Sequence, residues 1–174
     1  MEIGPTRKFW ESLSDPSVSQ ILVGYNRTRH VVNQEIRRLR GYFGLTPDPG
    51  EKVICLNNNQ SLGLYNGLIL EVLAAQMSGN LVVLDLKDPD TQQIYPQIKS
   101  WAPQYGQNKI AYGELPRIDD LMLFDYAYGI TVHKAQGSEW EHGIVLEECH
   151  PDWDLKRFSY TAVTRFPKTI HYFR

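Results

Sequence analysis

Residues 21–25 (ILVGY) form a short apolar run, and after the polar turn Asn26-Arg27-Thr28 the pattern changes to Val32, Ile36 and Leu39, which share one helical face. The order reads as strand, loop, helix. Asn26 or Thr28 can accept a backbone N–H as an N-cap, and Gly41 offers a left-handed stop at the other end. Such a βα unit commits the chain to an α/β domain, in which polar residues at the end of a strand face a ligand crevice.

From residue 46 to about residue 120 the texture differs. Pro47, Pro49 and Gly50 break the chain, and short β-rich runs follow at close spacing: VICL (53–56), LILEVL (68–73) and LVVLDL (81–86). Asn66-Gly67 and Ser78-Gly79 are turn signals between them. That spacing predicts a small β-barrel of SH3-like size, ending in an irregular arm over 94–117 whose Pro96, Pro103 and Pro116 argue against long elements. After residue 120 the βα character returns. A strand is expected over 121–128, a helical turn over 131–136, a buried strand over 143–146, a helix over 154–165 and a last strand over 169–173. Residues 1–46 and 120–174 are therefore expected to build one discontinuous α/β domain around an insertion spanning 47–119.

Composition bounds the function classes. The 174 residues are 42% apolar, enough for a real core. No stretch reaches the roughly 18 apolar residues of a membrane span, and the polar start lacks a signal-peptide core, so a cytoplasmic address is expected with no membrane partner. Cys55 and Cys149 lie far apart without CxxC or His spacing, which suggests neither a disulfide framework nor a zinc site; both read as buried thiols. A net charge of −2 gives no general attraction to nucleic acid, so binding requires a local patch. Arg27, Arg29, Arg37, Arg38 and Arg40, opposed only by Glu35, form one, although a solvated outer helix face is the ordinary explanation of such a run.

The most informative segment is 126–140, YAYGITVHKAQGSEW. Thr131, His133 and Lys134 put a hydroxyl, an imidazole and an ammonium within one turn, a cluster able to grip phosphates of a nucleic-acid strand. Gly137 lets a backbone approach a ligand closely, with Gln136 and Glu139 beside it. Trp140, Trp153, Tyr126 and Tyr128 have faces on which bases stack, but aromatics beside buried strands are more often core. His142, Cys149, His150, Asp152 and Asp154 carry metal donor atoms without a recognised spacing, and no metal site is assigned.

TVHKAQGSE (131–139) resembles the fifth motif of the RecD-like and Dda-like branch of superfamily 1 DNA helicases. GYNRTRHVVNQEIR (24–37) resembles the fourth motif, LGLYNG (62–67) the start of that family's SH3-like insertion, and YTAVTR (160–165) the sixth motif, all in the family's order. The resemblance implies the second of two RecA-like domains, the UvrD-like helicase C-terminal part, which clamps ATP against a first domain while single-stranded DNA runs across both. Carried over residue by residue, Asn26, Thr131, His133 and Lys134 contact the DNA backbone, and Gln136, Gly137 and Glu139 lie near the nucleotide. Arg165 would be the arginine finger on the γ-phosphate, with Thr161 and Thr164 positioning its helix. Where the UvrD-like branch carries an arginine two residues before the Asn, this chain has Gly24, and Arg27 is expected to take that role toward the nucleotide.

The chain contains no Gly-Lys dipeptide and hence no GxxxxGK[ST] loop to cradle phosphates. The expectation is a RecA-like domain without a P-loop, inactive alone toward ATP and Mg2+, completed by an amino-terminal RecA-like partner; the start at Met1 and the end just after the last strand read as a fragment or truncated gene. Analogy with the branch gives 5′ to 3′ movement, with no residue to fix it. Two rivals stand beside this reading: a non-catalytic nucleic-acid-binding module on a helicase scaffold, and a docking module whose inserted barrel holds a protein partner.

Overall fold

The computed structural model describes residues 6–107, 109–110, 112–148, 150 and 152–174. Two compact units divide the chain, Met1–Arg40 with Tyr128–Arg174, and Gly41–Ala127.

The first unit is built on four parallel strands: β1 (Gln20–Val23), β7 (Gly129–Thr131), β8 (His142–Leu146) and β9 (Thr169–Phe173), in the order β7-β1-β8-β9. β1 is buried at every position, which is why its sequence is a continuous apolar run rather than an alternation. Ile21 and Ile144 are register partners. They share a core with Val23, Leu146, Phe9 and Leu13 of the amino-terminal segment, and Val32 and Ile36 of helix α2 (Asn26–Leu39). Phe9 lies on α1 (Arg7–Ser12), a short helix with no counterpart in the sequence reading; the Thr6 hydroxyl caps it by accepting the Phe9 N–H at 3.3 Å. On the opposite face of β8, Gly143 lies under the ring of Phe166, which follows helix α3 (Leu155–Val163). The two βα crossovers therefore leave for opposite faces, and the crevice at the carboxyl ends of β1 and β8 is a topological switch point.

β7 is the edge of this sheet, and α2 finishes it. The Asn33 side chain donates to the Gly129 carbonyl at 3.0 Å and accepts the Gly129 N–H at 2.7 Å, taking the place of a neighbouring strand. A Cβ on Gly129 would stand 2.9 Å from Val32 Cγ1, so the helix approaches this closely only because the strand begins with glycine.

The second unit is a five-stranded antiparallel sheet ordered β5-β4-β3-β2-β6, from β2 (Lys52–Cys55), β3 (Ile69–Ser78), β4 (Leu81–Lys87), β5 (Ile94–Trp101) and β6 (Phe124–Tyr126). Its core includes Cys55, Leu70, Leu84, Leu86, Met122 and Phe124. The expected barrel is not closed: β5 and β6 are the two edges of the ladder, linked near one end only by an isolated bridge between Ser100 and Met122.

Two further expectations differ. Residues 94–101 are a regular strand rather than part of an irregular arm. Pro96 is tolerated there because β5 is an edge strand and the register slips between Leu84 and Leu86, with Gln97 at φ 56° and its N–H donated to the Asp85 carboxylate at 2.8 Å. The strand expected over 121–128 is only three residues long, β6, which pairs antiparallel with β2, and a strand that was not expected, β7, follows it and pairs parallel with β1. Residues 132–137 form successive turns, and the Ala135 N–H donated to the Thr131 carbonyl four residues back closes the helical turn expected over 131–136. Cys55 is fully buried, and Cys149 lies outside the described residues.

A Cβ built on Gly143 would stand 1.9 Å from the Phe166 ring, which itself is 6% exposed. Gly143→Ala is expected to destabilise the protein by about 3 kcal/mol through overpacking, read as a lower urea midpoint; Phe166→Leu in the same chain should recover part of the loss.

Candidate nucleic-acid and nucleotide interface

The 132–137 turn starts where β7 ends. The Val132 N–H donates to the Val23 carbonyl at 3.0 Å, which ties the turn to the end of β1. The Thr131 carbonyl accepts the N–H groups of Lys134 and Ala135 at 2.9 and 3.2 Å. Thr131 is buried at 8% exposure, Lys134 is half-buried, and His133, Gln136, Gly137 and Glu139 are exposed. Gly137 has φ 88° with open space around its Cα, so its requirement is conformational rather than steric.

Arg165 is brought to this loop. Its Nη1 donates to the Ser138 carbonyl at 3.3 Å and its Nη2 to the Thr164 hydroxyl at 3.2 Å, while its own carbonyl accepts the Trp140 N–H at 2.9 Å. The Thr164 hydroxyl in turn donates to the Thr161 carbonyl at 3.1 Å. Arg165 Nε is buried with no hydrogen-bond partner. The far end of the loop is pinned by Lys168, whose ammonium lies 2.6 Å from Glu141 Oε1 and, first by that hydrogen bond and then by its charge, holds the carboxyl below its ordinary value. Thus Ser138, between Gln136 and Glu139, and Arg165 meet in one place although they are distant in sequence.

At the end of β1, α2 begins at Asn26, but neither Asn26 nor Thr28 caps it. The helix follows Tyr25, which makes no side-chain cap bond. Glu148, just past β8, supplies the acceptor: its Oε2 receives the Gly24 and Tyr25 N–H groups, each at 2.7 Å, and its Oε1 receives the Thr28 hydroxyl. A carboxylate at a helix amino terminus answers both the unpaired N–H groups and the helix dipole. A Cβ on Gly24 would stand 2.9 Å from Glu148 Cβ and 2.8 Å from Trp153, so the arginine of the UvrD-like pattern has no room here. Arg27 is exposed and its guanidinium sits 4.9 Å from the Tyr25 ring centre. Glu148 carried no sequence signal, because its partners are more than 100 residues away.

Other expectations are redistributed. Arg29 and Arg37 are buried at 7% exposure each, so the arginine run is not one solvated face; Arg38 pairs with Glu35 at 2.6 Å and Arg40 lies over the Tyr128 ring. Tyr126 and Tyr128 are 3% and 4% exposed and offer no face to a base. Trp140 packs beside Phe166, and Trp153 against Tyr25 and Phe158. His150 Nδ1 and Asp152 stand 3.5 Å apart, and among the described residues no group of three or more His, Cys, Asp and Glu is placed to hold a metal.

A cleft of about 550 Å³ opens beside the turn. It is lined by Val132, His133 and Gln136 of the turn and by Asp152, Trp153, Asp154, Arg157, Phe158 and Thr161. Asp154 is the N-cap of α3, accepting the Arg157 N–H at 3.1 Å. Behind the cleft, Glu147 binds the Ser159 hydroxyl at 3.0 Å and the Tyr172 hydroxyl; burial, then that hydrogen bond, raise the Tyr172 phenol above its usual range.

No protein-family model and no curated protein matches this sequence. Among solved structures, Pif1 helicase from Bacteroides in complex with ADP-AlF3 and single-stranded DNA is similar at TM-score 0.57 and 15% identity, over 96% of this chain and 45% of that one. The same helicase bound to single-stranded DNA gives 0.53 at 16%, again over 96% and 45%. Pif1 helicase from Candida albicans gives 0.55 at 14% identity, over 97% of this chain and 50% of that one. The chain shares the fold of these helicases across nearly its whole length and spans about half of theirs.

Glu148→Ala leaves two N–H groups and a hydroxyl without their acceptor. It is expected to cost about 2–3 kcal/mol in a urea titration and to speed amide exchange at Gly24 and Tyr25. Glu148→Gln, which keeps two acceptor lone pairs in the same place, should lose less than half as much.

Proposed function

We propose that this chain is the carboxy-terminal motor half of an ATP-dependent DNA helicase of the RecD-like and Dda-like branch, with a RecA-like domain of the UvrD-like C-terminal type that supplies a single-strand grip and an arginine finger. The observation that carries the reading is the meeting of Arg165 with the loop 136–139, the two segments that resemble the sixth and fifth helicase motifs. The similarity in fold to helicases solved with single-stranded DNA supports it.

In this reading 1–46 and 120–174 form the RecA-like domain, and 47–119 is its SH3-like insertion in an opened form. Thr131, His133 and Lys134, with Asn26 at the end of the adjacent strand, hold strand phosphates. Gln136, Gly137, Glu139 and Arg27 border the nucleotide. Arg165 faces developing charge on the γ-phosphate: a guanidinium has five N–H donors and the Ser138 and Thr164 bonds use two, so donors remain for an anion. Glu148 fills the amino terminus of α2, where a nucleotide-binding α/β domain would hold phosphate. ATP phosphates are therefore left to a partner RecA-like half with a P-loop. Mg2+, which accompanies the ATP phosphates, falls to that half in this reading as well. Among the described residues no helix is long and apolar enough to cross a membrane.

The isolated chain should bind a short single strand weakly, with a log–log salt slope of about −2, as expected for two or three neutralised phosphates. Lys134→Ala should weaken binding and make that slope shallower by about 0.7; an unchanged slope removes Lys134 from the grip. With the P-loop half restored, Arg165→Ala should lower kcat for ATP at least about a hundredfold at nearly unchanged ATP affinity. Turnover of ATP by the isolated chain would refute the division of labour.

A further inference from the structure

The cleft beside the 132–137 turn belongs to neither the phosphate grip nor the nucleotide edge. It shares His133 with the first and Gln136 with the second, and the rest of its lining is Val132, the 152–154 segment and Arg157, Phe158 and Thr161 of α3. Arg165 and Asn26 are not among the residues that line it.

We infer that this cleft is a nucleobase subsite for the bound single strand, and that it selects bases carrying an exocyclic amino group. The inference rests on reading 131–134 as the strand grip.

Three observations lead to it. The first is size and shape: about 550 Å³ lies within the range of small-ligand sites and exceeds what one base requires. Its apolar wall is firm, since Trp153 packs at 4.9 Å from Tyr25 and 5.9 Å from Phe158, and Phe158 is 8% exposed. Val132, also in the lining, is buried at 4% exposure. Apolar walls with a few polar groups at fixed places suit a flat heterocycle.

The second observation is charge. Asp152 and Asp154 carry two carboxylates into the lining against the single guanidinium of Arg157. A net negative lining disfavours phosphate, so the strand's backbone and a triphosphate tail fit it less well than an uncharged base. Carboxylates accept hydrogen bonds and donate none, so they favour a donor on the base edge, and the exocyclic N–H2 is the one by which Asp and Glu read the N4 amino group of cytosine. Asp154 spends one oxygen on the Arg157 N–H, and carboxylate acceptor sites remain beyond that bond.

The third is placement. His133 lies in the grip and in the cleft at once. A strand whose phosphate is held at the turn has its attached base within reach of the cleft, whereas a base several nucleotides away has not. Thymine, which presents a carbonyl where cytosine presents an amine, would set two acceptors against each other at the Asp152 and Asp154 side.

The test compares labelled twelve-nucleotide dC and dT strands on the intact chain by fluorescence anisotropy at low salt. One added hydrogen bond to a carboxylate that stays in contact with water, as Asp152 does at 88% side-chain exposure, predicts about five- to tenfold tighter binding of the dC strand. In Asp152→Ala combined with Asp154→Asn the dC-to-dT ratio should fall toward one. Asn keeps the α3 cap, and circular dichroism should report the same helix content. The ratio is the readout, because removing carboxylates strengthens attraction for any strand. Equal affinities, or tighter dT binding, in the unaltered chain would overturn the subsite. So would a ratio that survives the double substitution, or free cytidine binding that competes with neither strand. If the chain binds no single strand at all, the strand-grip reading fails first and this inference with it; binding without base preference sinks the subsite alone.

Discussion

The carboxylate of Glu148 joins the two strand ends that define the working face of the first unit. It stands past β8 and accepts from Gly24, Tyr25 and Thr28 at the junction of β1 and α2, so one side chain sets the start of the helix and the spacing of two loops. The bonds are charge-assisted and meet a helix amino terminus, where a negative group is favoured. They also depend on Gly24, whose missing side chain admits both the Glu148 stem and the Trp153 ring. From this clamp follow the packing of Trp153 on Tyr25 and the occupation of the amino terminus of α2, which could otherwise have received a phosphate.

The opposite edge of the same sheet shows a second substitution of side chain for backbone. Asn33 satisfies Gly129 of β7 as a neighbouring strand would, and so ends the sheet without leaving an open edge. Between α2 and β7 the chain makes the whole excursion through the second unit. That excursion begins and ends on paired strands, because Cys55 of β2 stands opposite Phe124 of β6. An insertion whose ends lie side by side can be accommodated without stretching the domain that carries it.

β1 and β8 were readable because buried parallel strands are written as apolar runs, as in ILV and GIVL, and the end of α2 because Gly41 follows it at φ 81°; β7, three residues long, was not. The hairpin signals Asn66-Gly67 and Ser78-Gly79 likewise fell at turns, where Gly67 and Gly79 have φ 98° and 61°. Residues 94–101 misled for a physical reason: Pro96 forbids a central strand but not an edge strand with a bulge, and edge position is not written in the sequence. The arginines of α2 misled in a related way. Arg29 and Arg37 count as charges in a sequence and are buried in the fold.

The sequence by itself determined the order of elements, the two textures of the chain, and a run of polar groups after β7 whose types suit a phosphate strand and a nucleotide. These are local properties, carried by periodicity, turn residues and contiguous side chains. Only the tertiary structure decided which distant groups meet: Arg165 on Ser138, Glu148 on the α2 terminus, Asn33 on Gly129, and two aspartates in one cleft with His133. Each of these contacts joins residues 17 or more positions apart with no periodic or motif spacing between them. Their partners are fixed by how parallel strands align at their carboxyl ends, and that alignment exists only once the sheet has formed.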